Sequence, residues 1–165
     1  MQLAFIMDKH TSECVVATLD KLEFSLGKEL FHSVFPVILT DNGHEFTDIA
    51  GIERSVFDGK LRCKLFFCEP NRSDEKAECE TNHKLIRDII PKGTSLEPFM
   101  QSDISLMMNH INSYKRKSLL GKCPYDIASS ILPEDFFILL GLCCILPEDV
   151  NLTPKLLYKK KRKND

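Results

Sequence analysis

The stretch VILTDNGHEF, residues 37–46, decides the fold class of this chain. Its first four residues are apolar or β-branched and are typical of a buried strand. Asp-Asn-Gly follows at 41–43, and these residue types form sharp turns. Because open α/β sheets bind ligands at the carboxyl ends of their strands, the pattern predicts a functional carboxylate at Asp41. A turn without chemistry is the alternative that the motif leaves open.

Further strands and helices are predicted on both sides of this stretch. Apolar runs predict strands at 3–7 and 63–68. Apolar residues at helical spacing predict helices at 12–26, 28–35, 74–90 and 101–114, a weak helix within 46–57, and short proline-broken helices up to 157. This alternation of strands and helices predicts an α/β fold.

The composition is that of an ordinary globular protein. The chain has 165 residues, of which 43% are hydrophobic and 28% charged, and this excludes a disordered or low-complexity chain. The longest apolar stretch, 136–146, is too short to span a bilayer and contains Gly141. The first residues do not resemble a secretory leader. We therefore expect a cytoplasmic protein with no membrane partner.

The cysteines predict neither disulfides nor a metal site. There are seven, an odd number, and none forms a Cys-x-x-Cys pair. Reduced thiols that act as small core residues are the expected state. We also expect no metal at His83.

Charge is unevenly distributed along the chain. Residues 1–91 carry 11 basic and 16 acidic side chains, whereas residues 92–165 carry 11 basic and 8 acidic. Basic clusters suit contact with phosphates, although a basic tail is also a common solvated terminus. The candidate DNA-binding residues are Lys84, Arg87, Lys92, Lys115, Arg116, Lys117, Lys159, Lys160, Lys161, Arg162 and Lys163.

The helix predicted at 74–90 carries a second candidate carboxylate. Glu80, Lys84 and Arg87 share one helix face, because they are spaced four and three residues apart. A solvated salt-bridge stripe is the common role of such a pattern. The functional alternative is a carboxylate that, with Asp41, holds Mg²⁺ beside phosphate-binding cations. Other nearby carboxylates could be confused with the ligands, namely Glu45 and Glu78.

These segments together resemble the DDE transposases of bacterial insertion sequences, in the group numbered thirty. TDNGHEF resembles the motif that carries the second catalytic Asp, and the segment from Asn71 to Arg87 resembles the helix of the third carboxylate. The resemblance continues, in order, at 91–95, 107–114, 121–125 and 150–157.

The resemblance implies a fold, a cofactor and an activity. The expected fold is a ribonuclease-H-like, retroviral-integrase-like core at 1–117, followed by a helical C-terminal extension with a basic tail at 118–165. Such transposases cleave DNA at transposon ends and transfer strands with Mg²⁺ or Mn²⁺. The resemblance makes Asp41 and Glu80 two of three metal ligands, and we expect their carboxylates to share one cleft.

The sequence also departs from the pattern of this family. Nothing in it matches the first catalytic Asp, the first two strands or the N-terminal helix-turn-helix, so we expect an N-terminally truncated core that holds the metal incompletely. Whether the chain is itself an enzyme stays open. The alternatives are a non-catalytic fragment that binds DNA, self-associates or pairs with full-length transposase, and a decayed reading frame.

Overall fold

A computed structural model describes residues 1–68 and 77–158, with the backbone alone at 77–81. Its strands are β1 (Val37–Thr40) and β2 (Lys64–Phe67). Its α-helices are α1 (Ser12–Leu26), α2 (Lys28–Val34), α3 (Ile49–Glu53), α4 (Ala77–Ile89), α5 (Gln101–Ser113), α6 (Pro124–Ser129), α7 (Glu134–Leu139) and α8 (Lys155–Tyr158), with short 3₁₀ helices at His44–Phe46 and Lys117–Leu119. The described residues thus form an α/β protein with few strands and many helices, which confirms the predicted class.

The described residues form two compact units. The sheet unit contains residues 7–68 and 138–140, and the helical unit contains residues 1–6, 77–137 and 141–158. The domain boundary predicted at 117/118 falls inside the helical unit, and that assignment stays a prediction.

The sheet unit is built on a parallel pair of strands. β1 and β2 pair in register from Val37 opposite Lys64 to Thr40 opposite Phe67. Helix α1 packs against α2 and α3, with buried apolar side chains at positions that include Val15, Val16 and Leu22. Both strands and the helix at 12–26 match their predicted positions.

A buried arginine joins the helices of this unit to the loop that precedes β2. The side chain of Arg62 is fully buried, and its Nη1 lies 2.6 Å from Asp20 Oδ1 and 3.1 Å from Glu23 Oε2. Arg62 also donates to the carbonyl oxygens of Ile52, at 2.8 Å, and Gly51, at 3.1 Å. The Arg62 charge is therefore paired and its hydrogen-bonding groups are used, as burial of a charge requires.

The carboxylate of Glu23 is satisfied in the same network. Glu23 is also fully buried, and it accepts hydrogen bonds from the Ser55 hydroxyl at 2.5 Å and from the Val56 amide at 2.8 Å. This network gives the segment between α3 and β2 a buried anchor.

The helical unit contains an apolar cluster centred on α5. Four residues of α5 are buried there, Ile104, Met107, Met108 and Ile111, and they pack with a set contributed by other segments, namely Ile89, Phe99 and Leu157. The two methionines are therefore core residues.

The strand predicted at 3–7 is wrong. The described structure has no strand there, and residues 1–6 instead lie along α5. Asn112 accepts from the Gln2 amide at 2.9 Å and donates to the Gln2 carbonyl at 2.7 Å. Gln101 likewise accepts from the Ile6 amide at 3.0 Å and donates to the Ala4 carbonyl at 2.9 Å. The side-chain amides of Gln101 and Asn112 thus make the backbone hydrogen bonds that a neighbouring strand would otherwise make with this segment.

The remaining helix predictions were met in part. The helix predicted at 101–114 and the proline-broken helices after it are present as α5 to α8, and the helix predicted at 74–90 is described from Ala77. The weak helix within 46–57 is reduced to α3. Among the described residues, no helix combines the length and apolar character needed to cross a bilayer.

A buried histidine joins α5 to the loop that precedes α8. The amide of Asn151 donates to His110 Nδ1 at 3.1 Å, which requires that nitrogen to be unprotonated. Burial lowers the pKa of the His110 imidazole below its ordinary value, although Asp149 opposes this effect.

Arg62→Ala should destabilise the chain by about 3–5 kcal/mol, because it leaves the buried Glu23 carboxylate without its cation. Urea unfolding followed by circular dichroism measures this. The matched control is Arg54→Ala, since Arg54 is exposed and its loss should change the unfolding free energy by less than about 0.5 kcal/mol. Equal effects for the two variants would show that the network is not an anchor.

Acid should weaken the helical unit through His110. A histidine whose folded pKa is lowered gives its full stability above the unfolded pKa of about 6.5, and this is lost as pH falls through the lower folded pKa. The urea concentration at the unfolding midpoint should therefore decrease as the pH is lowered from 7.5 to 5.5. His110→Asn keeps an acceptor for the Asn151 amide without titrating, so it should flatten this decline, whereas exposed His83→Ala should not.

Candidate functional site

Asp41 lies at the carboxyl end of β1, as the sequence predicts. Thr40, the last residue of β1, is buried and its carbonyl accepts from the Cys68 amide at 2.7 Å. Asp41 is the next residue and is exposed. The parallel pairing of the strands therefore ends in a fixed backbone position that presents this carboxylate at the edge of the sheet.

The turn after Asp41 restrains its side chain. The Gly43 amide donates to Asp41 Oδ1 at 3.3 Å, which is the arrangement of an Asx turn. A Cβ at Gly43 would come within 2.7 Å of the Glu45 Cδ, so a larger residue here would displace that carboxylate. The φ of −65° at Gly43 suits any residue, so this close approach is what favours glycine here.

Glu80 lies in the first turns of α4, in the helical unit, whereas Asp41 belongs to the sheet unit. The side chain of Glu80, like that of Glu78, lies outside the described residues. The expectation that the Asp41 and Glu80 carboxylates share one cleft therefore stays a prediction.

Five of the predicted DNA-binding cations are exposed on the helical unit. Two lie on α4 and three on the segments that follow α4 and α5; they are Lys84, Arg87, Lys92, Lys115 and Lys117. The predicted basic tail, Lys159, Lys160, Lys161, Arg162 and Lys163, lies outside the described residues.

Arg116 is in a different environment from its neighbours. Its Nη1 donates to Asn82 Oδ1 of α4 at 2.8 Å, and its Nε is buried with no hydrogen-bond partner among the described residues. Its backbone closes a compact loop at 116–122, which we call the basic loop. The Arg116 amide donates to the Lys122 carbonyl at 3.0 Å, and the Arg116 carbonyl accepts from the Gly121 amide at 3.1 Å. The side chain therefore fixes the loop onto α4.

A group of polar residues beside Asp41 went unrecognised in the sequence. Glu45 is one of the carboxylates that the sequence leaves open to confusion with the metal ligands. Its Oε1 lies 2.8 Å from His10 Nε2, and its Oε2 lies 3.7 Å from His44 Nδ1. His44 and Glu45 are adjacent in the sequence, but His10 lies more than thirty residues away, so no local spacing indicates the group. A second group, Cys123 with Asp126 and Cys144, also brings metal-ligating atoms together.

The chain is similar to transposases of insertion sequences. This confirms the resemblance noted from the motifs, including the group numbered thirty. No family profile matches the chain, and no solved structure matches it.

Three of these relatives show how far the similarity extends. The transposase of IS4351 from Bacteroides fragilis is 35% identical over 66% of this chain and 30% of its own length. That of IS1086 from Cupriavidus metallidurans is 28% identical over 42% of this chain and 20% of its own length. Transposase InsI of IS30A from Escherichia coli is 33% identical over 39% of this chain and 17% of its own length. The matches thus span less than a third of each of these relatives.

Proposed function

We propose that this chain is part of the catalytic core of a DDE-type transposase, with a ribonuclease-H-like fold, that cleaves DNA and transfers strands. The observation that carries the proposal is the Asp41 carboxylate, exposed at the end of a parallel strand pair in a chain similar to insertion-sequence transposases. Asp41 and Glu80 are its proposed metal ligands.

The Asp41 carboxylate suits Mg²⁺ or Mn²⁺. It is a hard oxygen ligand at a strand end, and the Gly43 amide donates to one of its oxygens. Bound divalent ions in such sites activate the attacking oxygen and stabilise the leaving oxygen. Asp41 and Glu80 would hold and orient those ions, and a third ligand would complete their coordination.

The proposed DNA-binding surface lies on the helical unit and is formed by α4 and the basic loop. Lys84 and Arg87 are three residues apart on α4 and therefore on one face of it. The basic loop is fixed to the same helix by the bond from Arg116 to Asn82. Cations on two fixed elements can contact successive phosphates of a DNA backbone without reading bases.

Association without catalysis is a second candidate function. Leu39 of β1 and Phe66 of β2 are paired in register, and they are 55% and 53% exposed. Paired residues point to the same face of a sheet, so this face carries an uncovered apolar pair. Such a face favours self-association or pairing with a complete transposase.

Removing cations from the helical unit should weaken DNA binding. The double variants Lys84→Ala/Arg87→Ala and Lys115→Ala/Lys117→Ala should each reduce the slope of log K against log salt by about 2, starting from a non-specific Kd of about 10⁻⁴–10⁻⁶ M. Fluorescence anisotropy with duplex DNA at several salt concentrations measures this. Lys21→Ala/Lys60→Ala removes two exposed cations from the sheet unit and is the matched control. A control that loses as much as the test variants would contradict this surface.

Catalysis should require more than the two carboxylates. The 165-residue polypeptide should not nick supercoiled plasmid with Mg²⁺ or Mn²⁺, because one metal position is under-ligated. A chimera in which this chain replaces the matching part of the IS4351 transposase should nick. Asp41→Asn or Glu80→Gln should lower its rate about a hundredfold or more, because a metal ligand contributes several kcal/mol to the transition state.

The matched control for that experiment is Glu78→Gln, which removes a carboxylate two residues from Glu80 on the same helix. Its chimera should keep the nicking rate. A chimera that nicks equally well with Asp41→Asn would exclude Asp41 as a metal ligand, and nicking by the 165-residue chain that Asp41→Ala abolishes would mean that the chain supplies its own third ligand.

A further inference from the structure

Three metal-ligating side chains meet in the sheet unit, beside the turn that follows Asp41. His10 lies just before α1, and His44 and Glu45 lie in the 3₁₀ helix after that turn. One nitrogen of each histidine and a carboxylate oxygen of Glu45 lie within 4.8 Å of one another. The histidine rings are edge to face, with centroids 5.0 Å apart.

The Glu45 carboxylate is enclosed while the histidines are not. The Glu45 side chain is 13% exposed, whereas those of His10 and His44 are 64% and 75% exposed. Glu45 Oε1 lies 2.8 Å from His10 Nε2, but Oε2 is buried with no hydrogen-bond partner among the described residues. A buried carboxylate oxygen without a partner is costly, so this one favours an added cation.

The second nitrogen of His44 indicates which atom faces Glu45. His44 Nε2 lies 3.1 Å from the carbonyl oxygen of His10, and because a carbonyl only accepts, Nε2 is the protonated nitrogen that donates. In neutral His44 the lone pair is then on Nδ1, which lies 3.7 Å from Glu45 Oε2. Two acceptors face each other, and a metal ion between them would bind both. Histidines that ligate metals commonly donate their other N–H to a carbonyl in this way.

We propose that His10, His44 and Glu45 form a site for a divalent transition metal of the zinc class, with a fourth coordination position open to solvent. Two imidazoles and one carboxylate are a known ligand set for Zn²⁺, whereas Mg²⁺ prefers oxygen ligands alone. Tetrahedral Zn²⁺ with bonds of about 2.0–2.1 Å holds its ligands about 3.3 Å apart. The histidines can reach that spacing because their side chains are exposed, while the enclosed Glu45 stays in place.

The site is independent of the proposed DNA chemistry. All three ligands belong to one unit, and neither Asp41 nor Glu80 is among them. Bound metal would connect the start of α1 to the segment after β1. Because Gly43 leaves room for the Glu45 carboxylate, the same turn that restrains Asp41 also shapes this site.

Isothermal titration of the full 165-residue chain with Zn²⁺ tests the proposal. We expect one ion per chain and a loss of affinity of at least tenfold in each of His10→Ala, His44→Ala and Glu45→Gln, the last of which keeps the side-chain volume. The matched controls are His83→Ala, which removes an exposed histidine of the helical unit, and Cys144→Ser, which removes a ligand of the second group. Both controls should bind as the native chain does.

Cobalt substitution distinguishes the two groups independently of affinity. Co²⁺ bound by His10, His44 and Glu45 should give visible d–d bands without a thiolate charge-transfer band. Circular dichroism should show the native fold in each variant. The proposal is wrong if the folded chain binds no Zn²⁺, if the three ligand variants bind it normally, or if Cys144→Ser removes the binding or a thiolate band is present.

Discussion

The ion pair between Arg62 and Glu23 is the constraint on which the sheet unit depends. Both side chains are fully buried, so neither charge can be relieved by water. The Arg62 side chain binds α1 through Asp20 and Glu23, and it donates to backbone carbonyls of α3. The Arg62 amide also donates to the Glu53 carbonyl at 2.7 Å. β2 begins two residues later, so its position opposite β1, and with it the strand end that presents Asp41, follows from this network.

Much of this architecture is predictable because it depends on local pattern. The helical spacing of apolar residues buries one continuous face of α1 and of α5, and the period of that pattern alone reveals such faces. The role of Arg62 is not predictable in this way, because its partners lie in two separate helices, α1 and α3. The error at 3–7 has a related cause, since an apolar run specifies an extended backbone but not the groups that satisfy it.

The candidate site shows the same limit. Asp41 could be identified because a single motif combines a strand end with a turn. Glu45 and His44 lie in the same motif, yet their significance depends on His10, which the fold brings to them from another part of the chain. Arg116 was grouped with its basic neighbours, and only its bond to Asn82 separates a residue that holds the loop from those that face solvent. Charge type alone cannot make that distinction.

The contact between residues 1–6 and α5 limits which sequences could lie along this helix. Gln101 and Asn112 are eleven residues apart, about 16 Å along a helix, and the peptide groups that they hold span about 13 Å of extended chain. All four hydrogen bonds go to backbone atoms. The two amides therefore recognise an extended conformation and a spacing, whereas the choice of side chain is left to the apolar surface beneath, where Ala4 and Ile6 pack. Helix α5 thus hydrogen-bonds to the backbone of this segment as a neighbouring strand would, although the segment itself forms no strand.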